Sequence, residues 1–139
     1  MLDVPHRSGN VHDSNGAKKF ILQCIQHLRK EFPRVKIELR MDRAFFSDEI
    51  VTALENLHNV EYCISVPFSR FSELKGFIEG RQRWCKMNER FKYFEKKWKP
   101  TSWSQRHRFI FICHKVKYPF RAHCNWIYLN HWRWDRSTM

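Results

Sequence analysis

A chain of 139 residues and 17.2 kDa, 42% apolar and carrying 12 Phe and 6 Trp, can fill one hydrophobic core, is hard to divide into two, and is too apolar for wholesale disorder. It has no apolar run of about 18 residues and no signal-peptide layout, which argues against a membrane span and a secreted destination. Its 26 Lys+Arg against 14 Asp+Glu give a net charge of +12. The five cysteines (Cys24, Cys63, Cys85, Cys113, Cys124) are odd in number and lack C-x-x-C spacing, so they read as reduced cytosolic thiols.

The charge is concentrated. Residues 1–66 hold nine Lys/Arg and nine Asp/Glu, residues 67–117 hold 14 against four, and residues 118–139 hold three against one. A solvated surface mixes its signs, whereas a one-sided excess favours a polyanion, and nucleic acid is the usual one.

In chain order, Met1–Asn10 is polar and irregular. Asp13 or Ser14 is expected to cap a helix to about Glu31, with Ile21, Cys24, Ile25, Leu28 and Phe32 as its apolar stripe and Pro33 as its stop. Val35–Met41 alternates strictly, placing Val35, Ile37, Leu39 and Met41 on one face of a strand and Lys36, Glu38, Arg40 and Asp42 on the other. Ser47 caps a second helix with Ile50, Ala53, Leu54 and Leu57 buried, and Val60, Tyr62, Ile64 and Val66 alternate as a second strand stopped by Pro67. Strand, helix, strand in this span is a βαβ unit with parallel strands. In the basic stretch, Ser69 or Ser72 caps a short helix ended by Gly80. Arg81–Trp98 then mixes aromatics with cations in a strand-like pattern around Phe91 and Tyr93. Lys99–Ser102 turns, and Arg108–Lys117 is an apolar strand.

Asp42 sits at the carboxyl end of a strand in a βαβ unit, where open α/β sheets place ligands, and a carboxylate there can hold a divalent cation. The plain alternative is a turn aspartate that caps or brackets the next helix. Zinc at Cys113-His114 and His123-Cys124 is disfavoured, because adjacent ligands do not have structural-zinc spacing. Trp84, Trp98, Trp103, Phe91, Tyr93 and Phe94 interleave with Lys86, Arg90, Lys92, Lys96, Lys97 and Lys99, a pattern that serves either base stacking with phosphate contacts or a small β core with cationic outer faces. Four glycines in all exclude a G-x-G-x-x-G or Walker loop.

Several strings together resemble the DDE transposases of bacterial insertion sequences, transposase DDE domain group one. Arg7-Ser-Gly-Asn-Val-His-Asp-Ser-Asn-Gly-Ala17 resembles the family's R-x-G-N-x-H stretch before a helix. Leu39-Arg-Met-Asp42 with Ala44-Phe-Phe46 resembles its strand ending in the second catalytic aspartate. Val60–Phe71, Arg81-Gln-Arg-Trp84, Trp98-Lys-Pro100 and Arg106–Ile112 are similar in order and spacing to the insertion after that strand. The likeness spans roughly residues 7–117.

The resemblance implies an RNase H-like domain that cuts and rejoins DNA ends with three carboxylates holding two Mg²⁺ ions. Asp42 would be the middle ligand. The cations Arg81, Arg83, Lys86, Lys92, Lys96, Lys97 and Lys99 would meet transposon-end DNA, and an intact transposase copy would be a partner, in the cytoplasm at the nucleoid. The family's first aspartate lies upstream of the R-x-G-N stretch and is expected to be missing from a chain that starts at Met1. Its last glutamate lies on a helix downstream, and after Lys117 the only acid is Asp135. Arg43 stands where the family has a small residue, usually serine. Residues 118–139 lose the pattern. Read two nucleotides out of frame, permitted codons for Ala122–Trp132 give Pro-Leu-Gln-Leu-Asp-Leu-Phe-Glu-Pro-Leu, which resembles the family's continuation.

The expected fold class is therefore α/β: a partial RNase H-like core (helix, strand, helix, strand) over 1–66, a basic β-rich insertion over 67–117, and a divergent, out-of-frame tail over 118–139. The expected function is that of a DDE transposase fragment inactive alone. The alternative is a small non-catalytic nucleic-acid-binding module. A metal-dependent nuclease would need further carboxylates beside Asp42, and Glu38 and Asp48, the only near neighbours, lack the required separate element behind them.

Overall fold

A computed structural model describes residues 16–114 and the backbone of residues 124–130. Helix α1 spans Ala17–Glu31. Gly16 occupies its N-cap position at φ 74°, a left-handed conformation that favours glycine, and no side chain caps the helix. Asp13 and Ser14, the expected caps, lie outside the described residues. Ile21 and Ile25 are buried as the periodicity requires, but Phe32 is 59% exposed. The helix has ended by then: Phe32 is its C-cap at φ −132°, ψ 74°, so its side chain leaves the stripe. Arg29 closes this end, donating from Nη1 to Pro33 O and from Nη2 to His58 O and Asn59 O, which ties α1 to the turn before the second strand.

Strand β1, Ile37–Met41, begins two residues later than Val35. Its ladder starts at the Ile37–Val60 pair, so Val35 has no strand opposite it and remains 44% exposed. A 3₁₀ turn over Arg43–Phe45 leads to α2, Asp48–Glu55, capped by Ser47 Oγ, which accepts from Ile50 N–H at 3.3 Å. The buried face of α2 is Ile50, Val51 and Leu54; Ala53 is half-buried, and Leu57 lies in the turn beyond the helix. Strand β2, Val60–Ser65, alternates buried and half-buried residues and pairs parallel with β1, as the βαβ reading required. Helix α3, Ser72–Glu79, has Phe71 at the N-cap without a side-chain bond, so neither Ser69 nor Ser72 caps it; Gly80 ends it.

The remaining strands are β3 (Cys85–Lys86), β4 (Phe91–Trp98), β5 (His107–His114) and β6 (Cys124–Asn130). All six form one mixed sheet in the order β1-β2-β6-β5-β4-β3, parallel at β1–β2 and antiparallel elsewhere. The α/β class is thus correct. The strand latest in sequence sits between β2 and β5 and joins the neutral and basic parts of the sheet.

The three helices of the described residues cover one face. Ile37, Val60, Tyr62 and Ile64 from β1 and β2, and Phe94, Phe109 and Phe111 from β4 and β5, pack with Ile21 and Ile25 of α1, Ile50, Val51 and Leu54 of α2 and Leu74 of α3. Phe94 and Phe111 stack at 4.3 Å with planes 7° apart, and both are at most 1% exposed. Cys113 is buried and disulfide-bonded, and its register partner on β6 is Cys124; Cys24, Cys63 and Cys85 form no disulfide. The reading of five reduced thiols is corrected at Cys113, where cross-strand pairing sets two cysteines opposite one another that are eleven residues apart in sequence.

A polar link crosses this core. Tyr62 OH donates to Glu55 Oε1 at 2.8 Å, and Nδ1 of buried His107 lies 2.8 Å from the same oxygen. Burial first, then the hydrogen bond to Glu55 and its charge, hold the Tyr62 phenol proton well above the ordinary value of 10.0. A raised folded-state value stabilises the fold below pH about 10 and withdraws that stability as the pH rises beyond it.

Two outcomes are expected. Phe111→Ala should lower unfolding stability by about 3–5 kcal/mol in urea melts, from lost burial plus the cavity left in the stack. Alkaline titration followed by circular dichroism should show stability falling above pH about 10, and Tyr62→Phe should flatten that limb.

Candidate nucleic-acid interface

Asp42 follows β1 directly and is exposed. Its Oδ1 accepts from Ala44 N–H at 2.8 Å, so the carboxylate caps the 3₁₀ turn over Arg43–Phe45. The two other acids considered for a metal site are engaged elsewhere. Asp48 accepts from Ser104 N–H at 3.1 Å and from Ser104 Oγ, fastening α2 to the β4–β5 loop. Glu38 lies 3.8 Å from Lys36 Nζ. Among the described residues no three His, Cys, Asp or Glu side chains gather where they could hold a metal ion.

The seven cations picked from sequence divide by strand parity. Lys92 and Lys96 lie on the helix-side face of β4, which also carries Phe94 and Trp98. Lys92 Nζ is 4.4 Å from the Trp84 ring centroid, Lys96 Nζ 4.4 Å from that of Phe77, and the Arg81 guanidinium 4.8 Å from that of Phe94. Lys97 lies on the opposite face, across from Arg108 in the β4–β5 ladder. Arg83 is exposed, and its carbonyl accepts from Arg81 Nε. Lys86 pairs with Glu89. Lys99 points inward to the β4–β5 loop, where its Nζ donates to Trp103 O at 2.7 Å. The structure therefore gathers Arg81, Lys92 and Lys96 over one ring-lined edge, sets Lys97 on the other face, and turns Lys99 to a structural task.

Four of the six rings speak for core packing; Phe91 and Tyr93 lie half-buried on the other face of β4. Trp98 meets Phe71, Phe77 and Phe109 edge to face, Trp103 lies 4.6 Å from Phe46, and Trp84 stands edge-on to Phe94 at 4.8 Å. Phe94, Trp98, Trp103 and Trp84 are thus core or core-edge residues. On β4 the lysines and rings alternate along one face, Lys92, Phe94, Lys96 and Trp98, and Lys92 and Lys96 set their ammonium groups over the Trp84 and Phe77 rings. Three of the four acids in residues 67–117 are taken by neighbours, as Lys75–Glu79, Lys86–Glu89 and Arg108–Glu95.

The Glu55–Tyr62–His107 link has no counterpart in the sequence reading. Its members come from α2, β2 and β5, and only the packing of basic part on neutral part brings them within 2.8 Å.

The profile of the family described as transposase DDE domain group 1 matches residues 1–120 of the 139. The chain belongs to that family. No curated protein and no solved structure matches it significantly. Membership carries an RNase H-like fold and, in the intact family, a role in transposition on DNA with a divalent metal. The family's R-x-G-N-x-H likeness, Arg7–His12, lies outside the described residues. Asp42 alone does not fit a two-metal site, which needs carboxylates from separate elements converging on the ions. No helix among the described residues is long and apolar enough to cross a membrane.

As a turn cap, Asp42 has a measurable structural role. Asp42→Ala should cost about 1 kcal/mol in thermal melts while Asp42→Asn costs less, since the amide oxygen still accepts. Titration calorimetry with Mg²⁺ or Mn²⁺ should give the same flat trace for both variants and the parent chain.

Proposed function

We propose that this chain is a DNA-binding fragment of a DDE transposase that does not perform strand transfer by itself. The observation that carries the reading is the family match across residues 1–120, which includes both the Asp42 strand and the cationic segment. In this reading Asp42 descends from the second catalytic aspartate and Mg²⁺ is the ion of the intact enzyme. The cations Arg81, Arg83, Lys86, Lys92, Lys96 and Lys97 contact the phosphates of transposon-end DNA in the cytoplasm. Contact is through charge rather than base stacking, because Phe94, Trp98 and Trp103 are packed in the core. Lys99 drops out of the contact set, since its ammonium is held by the loop carbonyls. An intact transposase copy would be the natural partner, and the tail would derive from a frame change after residue 117.

A second reading has one specific observation in its favour. Strand β6, inside the divergent tail, pairs on both sides, with β2 and with β5. A segment built into the middle of a sheet is what a self-contained nucleic-acid-binding module would have. Sequencing the encoding DNA past both ends separates the two. A shifted frame restoring Leu-Asp-Leu-Phe and a later glutamate supports the fragment; continuous divergence supports the module.

Binding to duplex DNA should weaken steeply with salt. With about five phosphates neutralised, the slope of log K against log salt should be about −4.5. Lys92→Ala with Lys96→Ala should reduce that slope by about 2 at every sequence tested. A terminal-repeat duplex incubated with the chain and Mg²⁺ should remain uncut; cleavage would overturn the proposal.

A further inference from the structure

β1 ends the sheet: among the described residues its ladder is made on one side only, to β2. Ile37 N–H donates to Asn59 O at 3.1 Å, so residues 37, 39 and 41 direct their N–H and C=O groups at β2. By alternation Glu38 and Arg40 direct theirs at the open edge. Edge strands are usually blunted by proline, by a bulge or by charges that repel a second strand. This one has neither proline nor glycine, and Phe32 and Val35, exposed at 59% and 44%, precede it in the connection from α1.

The charges on β1 are of a different kind from a repelling set. Glu38 and Arg40 share the face of β1 away from the helices, minus then plus; Lys36, just before the strand, is held 3.0 Å from Glu61 of β2, and Asp42, just after it, accepts from Ala44 N–H. We propose that β1 pairs antiparallel with β1 of a second copy of this chain, about a two-fold axis at Leu39. In that register Glu38 stands opposite the partner's Arg40 and Leu39 opposite the partner's Leu39, while Ile37 meets the partner's Met41. Both charges of β1 therefore meet their opposites, and the symmetry makes the Glu38–Arg40 pair twice. Glu38 and Arg40 are also the residues whose backbone groups face outward, so the same register forms the hydrogen-bonded pairs. A slip of two residues sets Glu38 against Glu38 or Arg40 against Arg40, and a slip of one sends the apolar face to solvent. The sequence thus encodes one closing register, with six strands from each copy in a continuous sheet and the helices of both on one side.

The proposal neither uses nor requires the DNA reading. An interface of one strand pair with flanking side chains is small, so the dimer should dissociate at roughly 10–100 µM and tighten at low salt. The test is sedimentation velocity of the full chain across that range. A reversible, saturating monomer–dimer equilibrium is expected. Glu38→Arg and Arg40→Glu should each weaken it by about tenfold, because each puts like charges face to face. The double swap E38R/R40E, and an equimolar mixture of the two single variants, should both restore it to within about threefold. Hydrogen exchange on the unmodified chain, which relies on no variant, should show the amides of residues 38 and 40 protected only as concentration rises. A chain that stays monomeric, association that grows without saturating, singles that associate like the parent, or a double swap no better than the singles would overturn the proposal. So would protection of those two amides in the monomer, which would mean that another part of the same chain covers the edge.

Discussion

The structure depends on the need of β2 and β5 for hydrogen-bond partners at their facing edges. The parallel unit β1–β2 and the antiparallel unit β5–β4–β3 share no strand pair; β6 lies between them and bonds to both. Without it, two rows of backbone N–H and C=O groups would lie unpaired in the middle of the sheet, each costing a large part of its desolvation energy. Everything that spans the two units presupposes this bridge. Glu55 meets His107 across it, Asp48 holds Ser104 across it, and the core runs from Ile25 of α1 to Phe94 of β4 without a break.

Beneath the basic segment lies an aromatic layer that accounts for much of its composition. Phe94 on Phe111, with Trp84, Trp98, Phe77 and Phe109 around them at edge-to-face distances, is a core made almost wholly of rings. Such rings present a negative face, and Arg81, Lys92 and Lys96 lie over three of them. The same cations thus cover apolar surface with their stems and carry charge at their tips. A polyanion approaching this edge would meet charge already ordered by packing, which lowers the entropic cost of contact.

Asp42 shows how far family membership goes in chemistry. The strand that leads into it opens a βαβ unit inside the residues that match the family. Yet the carboxylate bonds to the next turn, and the acids nearest in sequence are directed to Ser104 and Lys36. A site for two metals is a property of several elements at once, and among the described residues no three His, Cys, Asp or Glu side chains converge. Fold and function part company here because a cap needs one oxygen, whereas catalysis needs a convergent set.

Periodic and local features were legible in the amino-acid sequence alone. They include α1, β1, α2, β2 and their parallel pairing, the Ser47 cap, the stops at Pro33, Pro67 and Gly80, and the alternation of charge along β1. Each arises from neighbours a few residues apart. Phe32 and Val35 depart from the pattern at element ends, where periodicity continues in the letters after the backbone has left the helix or before the ladder has begun. Tertiary packing, by contrast, settled which rings are core and which cation belongs to a loop. It also made the Glu55–Tyr62–His107 link, gave Cys113 its disulfide and set a late strand in the sheet's centre. These depend on which segments meet, and contacts between residues 52 positions apart, as Glu55 and His107 are, leave no period in the sequence from which to read them.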